Sequence, residues 1–190
     1  MRSFIAIEPS LQIKNYLSRI QDKLKTGGID IKWVNPRDIH LTLKFLGDIE
    51  DAILDKITGI LEAVSCGKSA FPMRLSSLGA FPDINFPRIL WIGIDKGDQK
   101  VKEIVKDLEG RTSRLGIPKE EKAFFSHLTI GRARPGLNRR KLVEILTILK
   151  NEIAKEELES YVTKLTLFKS TLTPQGPIYA ILKEANLKIN

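Results

Sequence analysis

NPRDIHLTLKFLGD (residues 35–48) and AFFSHLTIGRARP (residues 123–135) hold the only two histidines of this 190-residue chain, and each is followed by Leu-Thr and an aliphatic residue. Both stretches have the composition of a strand, aliphatic and aromatic runs bounded by Pro, Gly and Asp. Successive strand side chains point to opposite faces, so His40, Thr42 and Lys44 are expected on one face and Leu41, Leu43 and Phe45 on the other. In the second stretch His127 and Thr129 share a face while Leu128 and Ile130 point to the core. Each strand therefore offers an imidazole and a hydroxyl, about one pleat repeat apart, on a surface outside the core.

Outward from these strands, a 3.6-residue apolar period marks four amphipathic helices. The first carries Ile13, Leu17, Ile20 and Leu24 and ends at Gly27-Gly28; the second carries Ile53, Ile57, Ile60, Leu61 and Val64. The third carries Val101, Ile104, Val105 and Leu108, with Asp98 as its expected N-cap. The fourth carries Leu142, Ile145, Leu149 and Ile153, with Asn138 near its start. The remaining β-prone runs are RSFIAIE, IDIKWV, AFPMRLSSLGAF, RILWIGID, YVTKLTLFKS and PIYAILKEA. Many strands with few helices predict an α+β fold with helices covering one face of each sheet. Each HLT strand has a helix before it and another soon after it, the order of a two-lobed, pseudo-symmetric chain. With no linker or low-complexity stretch, residues 1–190 read as a single bilobal domain.

The net charge of +8 fits an anionic partner such as nucleic acid, and equally a Lys-rich solvated surface. Basic residues are scattered except in GRARPGLNRRK (residues 131–141). The single cysteine, Cys66, precludes an intramolecular disulfide, reads as a small filler at a helix end and suits a reducing compartment. No apolar run reaches membrane-spanning length, and MRSFIAIEPS lacks the apolar core and cleavage site of a signal peptide, so a cytoplasmic protein without membrane partners is expected. Nothing in the chain calls for an obligate protein partner, which predicts a monomer.

Two imidazoles facing each other across a cleft suit general acid–base chemistry at neutral pH, one entering protonated and one neutral. Threonine hydroxyls on the same faces can hold an anionic oxygen, and a phosphate fits both groups. A zinc site would need three or more ligands at short spacings, whereas the histidines are far apart and no acid lies within the HLT strands. Ser126 points away from His127 and forms no dyad with it. CGKSAF (residues 66–71) imitates the end of a P-loop, but Glu62 stands at the first glycine position and a helix precedes it. No metal and no cofactor are expected.

With both His-x-Thr-x tetrads in place, the chain resembles the 2H phosphoesterase superfamily, and within it the RNA 2′,3′-cyclic phosphodiesterases, also called 2′-5′ RNA ligases. The tetrads carry the first likeness; MRSFIAIE, IKWVNPRDIHLTLKFLGD, PRILWIGI, HLTIGRAR and LFKSTLTPQGPIYAIL carry the second. The resemblance implies two antiparallel sheets around a central cleft, with helices on the outer faces and one tetrad in each lobe. It implies hydrolysis of RNA 2′,3′-cyclic phosphate ends to 2′-phosphates, with His127 the proton acceptor, His40 the proton donor, and Thr42 and Thr129 holding the phosphate. Some relatives also join a cyclic-phosphate end to a 5′-hydroxyl end in a 2′-5′ linkage without ATP. Arg132 is a candidate phosphate contact provided Gly131 marks a bulge or the strand's end, since regular alternation puts it opposite His127. Arg88 and Lys44 are weaker candidates, read as solvated; Trp33 is placed to stack on a base, and Phe45 reads as core. A small cyclic nucleotide as substrate, or an RNA-binding module without catalysis, are the alternatives.

Overall fold

The structure, a computed structural model, describes residues 1–134, 136 and 138–189. Pro135 and Leu137, within the basic run, and Asn190 lie outside the described residues. The elements are β1 (Arg2–Ile7), α1 (Leu11–Thr26), β2 (Ile31–Trp33), β3 (Leu41–Asp48), α2 (Asp51–Cys66), β4 (Phe71–Phe81), β5 (Ile89–Ile94), α3 (Asp98–Thr112), β6 (His127–Ala133), α4 (Arg139–Glu156), β7 (Glu159–Val162), β8 (Lys164–Thr173) and β9 (Gly176–Asn186). The helix boundaries follow local chemistry. Ser10 caps α1 by accepting the Ile13 N–H on its hydroxyl at 3.3 Å, and Asn138 caps α4 by accepting that of Lys141 at 3.1 Å. Asp98 is the first helical residue of α3 rather than its cap; the cap is Gly97, whose φ of 87° suits a residue without Cβ.

The strands form two sheets, ordered β3-β1-β8-β9 and β2-β6-β5-β4-β7, with every strand pair antiparallel. YVTKLTLFKS, which reads as one strand, breaks at Thr163 because the chain changes sheets there: β7 pairs with β4, and β8 with β1. Helices α2 and α3 pack on the first sheet, α1 and α4 on the second.

The chain traces one path twice: β1-α1-β3-α2-β4, then β5-α3-β6-α4-β8. The last strand of each run joins the first strand of the other, β4 with β5 and β8 with β1. Buried positions match through the first helix of each run, Ile13, Leu17, Ile20 and Leu24 corresponding to Val101, Val105, Leu108 and Thr112. A bilobal α+β architecture with pseudo-symmetric halves is therefore present. One apolar cluster extends under both sheets, and a smaller one, Phe4, Ala6 and Phe168 with Tyr179 against it, lies on the opposite face of the first sheet. Among the described residues no helix is long and apolar enough to cross a membrane.

Candidate active site

The two tetrads share more than four residues. Strand β3 pairs Ala6 with Thr42 but Ile5 with Lys44, so Leu43 is an extra residue. Strand β6 pairs Trp91 with Thr129 but Leu90 with Gly131, so Ile130 is extra at the same place. Each bulge resets the alternation one residue after the threonine. Arg132 is thereby returned to the face of His127 and Thr129, as a bulge at Gly131 would require, and all three line a cleft of about 940 Å³ between the sheets. His40, Thr42 and Phe45 line it from the other side.

The bulge in β3 overturns two expectations. Phe45 is not core: it is 56% exposed and faces the cleft. Lys44 is not solvated: it is 1% exposed, donates to the Pro118 carbonyl at 2.6 Å and pairs with Glu109 of α3 at 2.9 Å. In the other half the polar residue beneath the tetrad strand is Gln21 of α1, fully buried, whose Nε2 donates to Val34 O at 2.7 Å and to Ile130 O at 2.8 Å. Gln21 follows Ile20 as Glu109 follows Leu108, so the two occupy the same helical position, each under the bulged strand of the opposite run.

Both imidazoles are anchored identically. The Nδ1–H of His40 donates to Asp38 O and that of His127 to Phe125 O, each at 2.7 Å and each to the carbonyl two residues upstream. A carbonyl only accepts, so Nδ1 carries the proton and Nε2 is the atom left for chemistry. Aromatic rings fix the ring planes. Phe4 stacks on His40 at 4.7 Å and Tyr179 meets it edge-on at 5.2 Å, while Phe81 meets His127 edge-on at 5.1 Å. These partners come from strands remote in sequence, and nothing near the tetrads announces them. The hydroxyls of Thr42 and Thr129 have no protein hydrogen-bond partner among the described residues.

Burial pushes both histidines below the usual imidazole value. At His40 this is opposed by the bond to Asp38 O and by the Asp38 and Glu8 carboxylates, with Lys14 acting the other way. At His127 only the bond to Phe125 O opposes it. The electrostatic surroundings of the two rings thus differ although their geometry matches.

Trp33 lines the cleft, whereas Arg88 is exposed at the start of β5, outside the cleft lining, and the structure does not bring it to the tetrads. Among the described residues no group of three His, Cys, Asp or Glu side chains could hold a metal ion.

Comparison with known proteins agrees with the twofold path. The model of the LigT-like phosphoesterases matches the chain twice, over residues 7–91 and 92–179. An RNA 2′,3′-cyclic phosphodiesterase of Aquifex aeolicus is 36% identical over 188 residues, 97% of this chain and 96% of its own. Another, from Methanocaldococcus jannaschii, is 35% identical over 184 residues, covering 97% and 99%. Among solved structures, a Thermus thermophilus protein superimposes with a TM-score of 0.80 at 25% identity, covering 98% of both chains. E. coli LigT complexed with 3′-AMP shares the fold, with a TM-score of 0.73 at 19% identity over 98% of this chain and 97% of its own.

Proposed function

We propose that this chain, which belongs to the LigT-like phosphoesterase family, hydrolyses 2′,3′-cyclic phosphate ends of RNA to 2′-phosphate ends. The observation that carries this reading is the matched pair: two imidazoles in one cleft, each with Nδ1 tied back to a carbonyl and each followed two residues on by a threonine whose hydroxyl has no partner among the described residues.

His127 Nε2, with no carboxylate raising its proton affinity, accepts a proton from water as the water oxygen bonds to phosphorus. The P–O3′ bond breaks, and His40 Nε2–H, supported by Asp38 and Glu8, protonates the departing 3′ oxygen. Thr42 and Thr129 donate to the non-bridging oxygens on which charge gathers. No metal takes part in these steps. A 5′-hydroxyl in place of water yields a 2′-5′ linkage by the same proton transfers, because strain in the cyclic diester drives both.

Product analysis tests the reading. In the presence of EDTA, an oligonucleotide ending in a 2′,3′-cyclic phosphate is expected to give a 2′-phosphate; a 3′-phosphate product would contradict the assigned leaving group.

A further inference from the structure

Lys32 of β2 and Arg132 of β6 are direct cross-strand neighbours, and both line the cleft. Like charges set opposite each other on one sheet face repel. Neither side chain has an ion-pair partner among the described residues. Nearby rows differ. Arg134 of the same segment meets Asp30 at 3.6 Å, and Arg2, a cation at the cleft in the other lobe, stands opposite Asp48. A doubly positive row thus faces no carboxylate across the strands, where the Arg134 and Arg2 rows each face one, which is the pattern of a site completed by an anion.

Its position limits which anion. Arg132 lies three residues beyond Thr129, about 10 Å along a regular strand and less across the bulge at Ile130. That is the scale of one nucleotide from the threonine-held phosphate. The matching place in the other lobe holds Phe45, so the charged row leaves the tetrads on one side only. The cleft volume of about 940 Å³ is at the upper end of what encloses a drug-sized ligand, leaving space beyond one terminal nucleotide.

We propose that Lys32 and Arg132 form a second anion site that binds the internucleotide phosphate immediately upstream of the cyclic end. This rests on the reading of the cleft as an RNA cyclic phosphodiesterase site. It makes an oligonucleotide, rather than a cyclic mononucleotide, the preferred substrate.

The test compares two dinucleoside substrates with the same 2′,3′-cyclic phosphate end, one joined by an ordinary phosphodiester and one by an uncharged methylphosphonate. The wild type is expected to favour the charged linkage about 5-fold in kcat/KM, through KM, the scale of one exposed charge-assisted contact. Lys32→Gln is expected to bring that preference within about 2-fold and to lower the salt slope of log(kcat/KM) by about 0.7, the value for one single-strand phosphate contact. Lys32→Arg should keep both. Because Lys32→Gln relieves the facing charges, it should melt no lower than wild type, whereas a structural role for Lys32 predicts a lower midpoint. Equal use of both linkages by the wild type, or an undiminished preference in Lys32→Gln, overturns the second site and leaves the hydrolytic reading standing. Failure to turn over either substrate overturns both.

Discussion

Phe45 and Arg132 occupy the same place in the two halves of the molecule, five residues beyond their histidines and each turned into the cleft by a one-residue bulge. At this one place the cleft therefore has an aromatic side chain in one half and a cation in the other. Removing each should leave a different signature. Phe45→Ala is expected to raise KM for the cyclic-phosphate oligonucleotide severalfold with no change in salt dependence. Arg132→Ala should lower kcat/KM by more than tenfold and reduce the salt slope by about 0.7 per lost phosphate contact. Steady-state kinetics at several salt concentrations separate the two.

Gln21 holds the bulge that aims Arg132. Gln21→Leu keeps most of the volume but leaves the Val34 carbonyl without its donor, while the Ile130 carbonyl keeps only the Val34 N–H at 3.1 Å. A cost of about 1–3 kcal/mol follows from the one unmet acceptor, read as a lowered urea midpoint. Activity under conditions where the variant remains folded should also fall, because the strand that carries Thr129 and Arg132 loses its brace.

Lys44 and Glu109 are the corresponding brace under β3. Lys44→Met strands a largely buried carboxylate and is expected to destabilise by about 3–5 kcal/mol, whereas Lys44→Met with Glu109→Leu should recover most of that loss. Denaturant unfolding of the two single variants and the double variant gives the coupling. Additive losses would show that the pair is not the source.

Both histidines are held below the usual imidazole value by burial, which sets the sign of a pH effect. The unfolded chain takes up protons near pH 6.5 that the folded chain still refuses. Stability from these groups is complete above that pH and declines as pH falls toward the folded values. Thermal midpoints measured from pH 7.5 down to 5 should fall less steeply in the His40→Gln, His127→Gln variant than in wild type.

The helices, the strands and both tetrads were legible because each rests on local period: 3.6 residues for the buried faces, two for the strands. The bulges were not equally legible. Gly131 marks one, and the need to return Arg132 to its histidine pointed to it. At Leu43 there is no glycine and no local signal, so simple alternation put Phe45 in the core and Lys44 in solvent, the reverse of their places. The place of Arg88 was hidden for another reason. Its charge suggested an anion contact, but only the path of β5 decides that it stands outside the cleft lining. The rings around His40 come from β1, β8 and β9, and pairing between strands so far apart leaves no mark near residue 40.

The most direct test of the paired-histidine assignment uses a substrate whose bridging 3′ oxygen is replaced by sulfur, a leaving group that departs without a proton. With the natural cyclic phosphate, His40→Ala and His127→Ala should each lose about 10²- to 10⁴-fold in turnover. With the 3′-sulfur substrate, His40→Ala should recover most of that loss and His127→Ala should recover none. Recovery in His127→Ala instead, or unchanged turnover of the natural substrate in either variant, would contradict the account.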